Sequence, residues 1–366
     1  MDENYFISAF LGLTSSFTLA LLIASIFRYL GKKDRHVHKK RSAHSLPTSR
    51  LGGIAVCLSI LAVIILNNEA WNLEIAISAF PIFAAGLMED LGWPLKPKIR
   101  LAFGVLSAGI FVFLKRQYIN DVGIEWINLL LSVKPIAIAF TVFCVVALIN
   151  ALNFIDGING LASGKTFIAS FALMWLADTY SEPNLTLLGT AIFSASLGLF
   201  MVNYPQGRIF LGDTGAYTMG FLLATSLITL QNRHPEISAW SILLIIFWPI
   251  ADVGHSIFRR RMKKMRSDRP DYLHLHHVLM RSLMIGSDGR ISKQLANPLA
   301  TAIILPMAAL PVLLGVVYHQ IDSLCFGLFI GFVLLFTCMH SGIIEATHRR
   351  MFFVRRPKKN SFTEMN

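Results

Sequence analysis

Apolar residues run along this chain in long blocks rather than at helical or alternating intervals, and polar residues gather between the blocks. The blocks are about 17–25 residues long, the length at which a helix crosses a hydrocarbon core of about 30 Å. Eleven are predicted as membrane-spanning helices, over residues 5–28, 51–67, 72–88, 101–114, 135–152, 163–178, 184–202, 210–230, 238–258, 298–318 and 322–344. The expected fold class is an all-α integral membrane protein of about eleven transmembrane helices. The short alternating strands of an outer-membrane barrel are absent, as is any repeat with a period of 20–50 residues. The chain therefore reads as one polytopic domain over 1–366, with a basic, histidine-bearing loop at 259–297 and a basic tail at 345–366.

Composition narrows the class further. The chain is 54% hydrophobic and 15% charged, against roughly 45–50% and 25% in a soluble domain. A soluble enzyme and a disordered chain are both excluded. The net charge of +12 is unusual for so apolar a chain, and its placement is informative. Twenty-nine of the 33 Lys and Arg residues fall in segments 28–50, 89–100, 153–165, 203–208, 259–297 and 345–366. With eleven spans these lie on one face, and the remaining four, Lys115, Arg116, Lys134 and Arg233, on the other. Basic excess marks the cytoplasmic side, which predicts an external N-terminus and a cytoplasmic C-terminus. The acidic start, Asp2-Glu3, lacks the basic region of a cleaved leader, so the first span reads as a retained anchor. Cys57, Cys144, Cys325 and Cys338 lie inside apolar blocks without ligand spacing and read as packing residues.

Five acids stand at the cytoplasmic ends of spans: Glu89, Asp90, Asp156, Asp213 and Asp252. Ionisable groups beside hydrocarbon are costly and point to function. Glu89-Asp90 is an adjacent acidic pair, suited to act as a base or to share a cation, followed by Lys98 and Arg100. Asn150-x-x-Asn153-x-x-Asp156-Gly157-Ile158-Asn159-Gly160 would, if helical, put Asn150, Asn153 and Asp156 on a face about 120° wide. Such amides and acids offer oxygens to a hard cation or hydrogen bonds to a base. Gly212-Asp213-Thr214-Gly215 opens a span, where free N–H groups favour anions. Last comes a basic run, Arg259 to Lys264, and then His274-Leu275-His276-His277. These histidines read as phosphate contacts rather than zinc ligands, because no thiol accompanies them. A hard cation, phosphate-binding cations and amides beside a membrane suit phosphoryl transfer between a cytosolic donor and a lipid acceptor. A secondary transporter would instead hold its acids near the midplane, at paired positions of two repeats. With the basic face spoken for by lipids and phosphates, nucleic acid is not needed as a partner.

The four motifs in this order, together with Arg41-Ser-Ala-His-Ser-Leu-Pro47 through Gly52-Gly53, resemble the polyprenyl-phosphate N-acetylhexosamine-1-phosphate transferase family, the WecA-like branch of glycosyltransferase family 4. The resemblance covers nearly the whole chain. It implies transfer of a sugar-1-phosphate, N-acetylglucosamine-1-phosphate first, from a UDP-sugar to undecaprenyl phosphate with release of UMP. The lipid-linked product would start a surface polysaccharide such as the O-antigen of lipopolysaccharide. Another UDP-N-acetylhexosamine donor is the alternative. By the same resemblance Asp213 and Asn153 bind Mg²⁺, with Mn²⁺ as a substitute, and Asn159 meets the uridine. His274, His276 and His277 contact the donor, with Asn150, Lys98 and Arg100 as further substrate-binding residues. Glu89 and Asp90 activate the lipid phosphate. The pair departs from the usual Asp-Asp, and the longer Glu89 puts the base role on Asp90 first. Asp156 is a candidate nucleophile or positioning group, with direct attack by the lipid phosphate the economical route. The implied location is the bacterial inner membrane with the site on its cytoplasmic face, among membrane lipids, with a homodimer left open.

Overall fold

A chain that passes through lipid must pair its own backbone N–H and C=O groups, and helices do so within one segment. The computed structural model describes residues 3–30, 48–67, 70–264, 273–288 and 290–354, and these form fourteen helices and no strand. In chain order they are α1 (Glu3–Tyr29), α2 (Gly52–Leu66), α3 (Ala70–Asp90), α4 (Pro97–Lys115), α5 (Glu125–Leu131), α6 (Lys134–Ile155) and α7 (Leu161–Thr179). The second half holds α8 (Pro183–Asn203), α9 (Gly212–Arg233), α10 (Ala239–Ile245), α11 (Phe247–Met262), α12 (Leu275–Gly286), α13 (Lys293–Val317) and α14 (Asp322–Val354).

Each of the eleven expected blocks coincides with a helix or with the α10–α11 pair. Seven helices are long and apolar enough to cross a membrane: α1, α3, α4, α6, α8, α13 and α14. The α10–α11 pair makes an eighth if it counts as one span. The chain is a multi-span membrane protein. α9 falls short of that apolarity because protein, not lipid, surrounds it, and α7 is largely buried apart from a face bearing Phe171 and Trp175. Nearly every side chain of α9 from Thr214 to Gln231 is buried. Three of its threonine hydroxyls are satisfied within the helix, Thr218 on the Thr214 carbonyl (2.7 Å), Thr225 on that of Phe221 (2.9 Å) and Thr229 on that of Thr225 (2.8 Å).

Small residues let α9 sit this deep. A methyl group on Gly53 of α2 would come within 2.7 Å of Gly215 Cα, and one on Gly86 of α3 within 2.6 Å of Thr214 Cα. Close backbone approach of this kind is how helices pack where no hydrophobic force separates them from lipid. It brings the ends of α2 and α3 against the first turn of α9.

Three sequence expectations need correction. The block 238–258 is not one straight span: α10 and α11 meet at 86°, with Ile246 between them. Pro249 explains the break, since it has no N–H to give the carbonyl of Ile245 four residues earlier. Lys165, counted above with the cytoplasmic cations, is instead 1% exposed inside α7. Its ammonium donates to that same Ile245 carbonyl (3.0 Å) and to the Ala308 carbonyl (3.4 Å). Finally, 259–297 is not simply a loop, because it contains α12, and α14 continues through the start of the expected tail. Residues 41–47 of the motif segment, Asp271 and the tail from 355 onward lie outside the described residues. The four cysteines are free thiols.

Candidate active site

The first turn of α9 is the centre of the site. Its leading N–H groups have no intrahelical partners, and Leu211 at the N-cap offers no side-chain acceptor. Acids from two other helix ends supply what is missing. Asp90, the last residue of α3, accepts the N–H of Asp213 (3.0 Å), the N–H of Thr214 (2.8 Å) and the Thr214 hydroxyl (2.6 Å). Asp156, just past α6, accepts the N–H of Gly212 (3.1 Å). Both carboxylates thus occupy the positive end of the α9 dipole, which helps offset their mutual repulsion. The backbone around them is clamped as well. Phe210 donates to the Ser49 carbonyl (2.8 Å), and Gly52 donates to that of Phe210 (3.0 Å).

Asp213 is used differently. Its carboxylate takes no hydrogen bond from the described residues, yet it lies within electrostatic reach of Asp90, Asp156, Glu89, Arg50 and Arg100. One turn further along α9, the Tyr217 hydroxyl accepts from the Asn153 amide (3.2 Å) and from Arg100 (3.3 Å). Asn153 therefore faces α9 beside Asp213 with its amide nitrogen engaged and its carbonyl oxygen left over. Burial, and then the charge of Asp213, pushes the Asp156 carboxyl up to about 7, with Arg50 opposing. Glu89 accepts the N–H of Leu95 (2.5 Å) and has Arg100 at 3.9 Å.

The oxygen donors fit a hard cation. Mg²⁺ keeps few protein ligands, one or two carboxylates, and fills its shell with water and substrate phosphates. Asp213 and Asn153 provide such a sparse set. Among the described residues no three His, Cys, Asp or Glu side chains form a cage of their own.

The histidine motif reaches the same end of the molecule through Asp252 of α11, which is 1% exposed. Its carboxylate pairs with His274 Nδ1 (3.0 Å), lies 3.8 Å from His276 Nδ1, and accepts the Leu275 N–H (3.0 Å) at the start of α12. Leu273, before them, is held by Arg259 and His340, which both donate to its carbonyl. His274 stacks on Phe154 at 5.7 Å. A methyl group on Gly157 would strike the His276 ring, so the Asn153–Asp156 motif and the histidines meet because residue 157 has no side chain. His276 is buried with Nε2 unpartnered among the described residues, and burial lowers the pKa of both His276 and His277.

The remaining expected residues lie around this centre in different states. Asn150 is half-buried and bonds the Val146 carbonyl of its own helix (2.8 Å). Asn159 is 6% exposed and cross-links the interior: its amide donates to Pro205, its N–H to Asn297, and its carbonyl accepts Thr301. Lys98 is exposed on the first turn of α4. Arg261, Lys263 and Lys264 are exposed, while Arg259 and Arg260 are half-buried. Three participants carried no role in the sequence reading. Tyr217 stands four residues after Asp213 and so on the same helix face, a legible signal. Arg50 borders the Gly52-Gly53 motif. Asp252 was visible as a costly interfacial acid but without a partner.

The family model for glycosyl transferase family 4 matches residues 72–231, which contain the acidic pair, the Asn-Asp motif and Asp213. The chain is 26% identical over 275 residues to the probable undecaprenyl-phosphate N-acetylglucosaminyl 1-phosphate transferase of Bacillus subtilis, covering 72% of this chain and 75% of that one. It is 26% identical over 339 residues to the undecaprenyl-phosphate alpha-N-acetylglucosaminyl 1-phosphate transferase of Yersinia pestis, covering 90% and 88%. A decaprenyl-phosphate N-acetylglucosaminephosphotransferase of Mycobacterium tuberculosis is also 26% identical, over 283 residues, covering 66% and 68%.

Proposed function

The chain belongs to glycosyl transferase family 4 as a WecA-like member, and on that premise we propose that it transfers N-acetylglucosamine-1-phosphate from UDP-N-acetylglucosamine to undecaprenyl phosphate. An oxygen of the lipid phosphate forms a bond to the sugar-bearing phosphorus of the donor. The bond from that phosphorus to the bridging oxygen breaks, and UMP leaves. The observation that carries this reading is the gathering of Glu89, Asp90, Asp156 and Asp213 with Arg50 and Arg100 around the start of α9. The relatives named above act on polyprenyl phosphates, which supports the acceptor.

Asp213 and Asn153 would hold Mg²⁺, which supplies positive charge where two phosphate anions meet. Asp90 keeps Asp213 in place through the α9 cap. Because both its oxygens already accept hydrogen bonds, Glu89, beside Arg100, takes first place as the group that keeps the acceptor phosphate ionised. Arg100 and the basic run near α11 hold phosphates, and His274 contacts the donor. Eleven crossings, an external N-terminus and a site on the cytoplasmic face of a bacterial inner membrane complete the proposal. The product would start a surface polysaccharide.

Purified protein given undecaprenyl phosphate and a panel of UDP-sugars is expected to release UMP only when both substrates are present, fastest with UDP-N-acetylglucosamine. No lipid product with any sugar would remove the assignment. Asp252→Asn, which removes the charge that orients His274, is expected to slow UMP release by about 10², the usual cost of misplacing a reacting group by an ångström. Kinetics beside a thermal melt would check it, and unchanged turnover would detach the histidines from the chemistry.

A further inference from the structure

At the end of the molecule away from the acids, two cavities adjoin. One, of about 250 Å³, is an apolar trough between α6, α9 and α10, lined by residues such as Phe140, Cys144, Leu227 and Trp240. The other, of about 270 Å³, is a polar mouth lined by Asn120, Asp121, Asn128, Gln231, Asn232 and Pro235. Gln231 and Asp121 line both. Gln231 is 18 residues beyond Asp213 on α9, which places the junction about 27 Å along the helix from the acidic cluster.

Two polar groups here lack partners among the described residues. Gln231 is 7% exposed and its side chain makes no hydrogen bond with the described residues. The Asn232 side-chain oxygen is buried and unpartnered, while its amide donates to Gln117 and to the Tyr118 carbonyl. An unsatisfied amide in a low-dielectric wall costs on the order of 1–3 kcal/mol unless a ligand or water meets it. The rest of the mouth is well built: Asn128 donates to Asp121 (2.6 Å) and accepts the Val122 N–H (2.9 Å). Among the described residues no Lys or Arg lines it, and the flanking cations are committed, Lys115 to Glu74 and Arg233 to Glu182.

We propose that this trough and mouth form a second, non-catalytic lipid site. It takes a lipid whose apolar chain fills the trough and whose uncharged, hydroxyl-bearing headgroup meets Gln231 and the asparagines. A mouth of amides and the Asp121 carboxylate favours such a head over an anionic one, because nothing among the described lining residues compensates a phosphate and Asp121 repels it.

Trp240 in the trough is the reporter. The full chain is placed in phosphatidylcholine vesicles with a small fraction of a brominated glucosyl diacylglycerol or a brominated phosphatidylglycerol, and the Trp240→Phe difference isolates its quenching. The glucosyl lipid is expected to half-quench Trp240 at about a tenfold lower mole fraction, a preference of about 1.4 kcal/mol. Gln231→Leu is expected to erase that preference while UMP release continues. The comparison of the two lipids on the unmodified chain stands even if that variant fails to fold. Equal quenching by both lipids, or an undiminished preference in a folded Gln231→Leu protein, overturns the proposal. Relief of quenching by added unbrominated undecaprenyl phosphate also overturns it, by giving the trough to the acceptor's tail.

Discussion

Asp213→Asn is expected to lower UMP release by on the order of 10³, as when one electrostatic contributor to a charged transition state is removed, while the protein still inserts, purifies and melts as before. The separation follows from how Asp213 is held. It caps no helix and takes no hydrogen bond from the described residues, so its charge is not spent on structure. Asparagine keeps the shape and removes one of several carboxylates that repel one another around α9, so stability should hold or rise slightly. Affinity for Mn²⁺, read by electron paramagnetic resonance on the free protein, should fall in parallel. Near-normal turnover in this variant would sink the metal assignment, and unchanged Mn²⁺ affinity would move the ion elsewhere.

The motifs that carry this site were readable because polar residues in an apolar chain need a reason to be there. Glu89-Asp90, Asn153, Asp156 and Asp213 each stood out against lipid-compatible neighbours, and each proves to sit at a helix end. What the sequence could not show was which acids were partners and which were free. Asp90 and Asp156 read as chemistry, yet both also serve as caps supplied from outside α9, a role that depends on three helix ends meeting in space. Asp252 read as an isolated acid because its partners, His274 and Leu275, are more than 20 residues away across a second helix. Hydropathy placed α7 and α9 correctly as blocks but carried no sign that α9 lies inside the protein and α7 largely so. The bend at Ile246 had a local cause in Pro249. However, the ammonium that takes the released carbonyl comes from Lys165, 80 residues earlier, and no local pattern pairs them.

The contrast between Asp213 and Asp90 gives the second large effect. Asp90→Asn is expected to lose stability as well as activity. An asparagine has one acceptor oxygen where Asp90 uses two, and its NH₂ would point at N–H donors it cannot satisfy. Three charge-assisted hydrogen bonds, from Asp213, Thr214 and the Thr214 hydroxyl, are weakened together. Leaving even one α9 N–H unpaired in this buried turn costs about 1–3 kcal/mol, so a total near 3 kcal/mol and a clearly lower melting temperature are expected. Activity should fall at least as far as in Asp213→Asn, because the first turn of α9 carries Asp213 and no longer has a fixed position. Thr214→Val, which removes only the hydroxyl donor, should lower the melting temperature by less than Asp90→Asn does. A stable but inactive Asp90→Asn protein would overturn the capping role and return Asp90 to direct contact with the lipid phosphate. Equal loss of stability in the Asp213 and Asp90 variants would mean that both acids hold the turn and that Asp213 is not reserved for the metal.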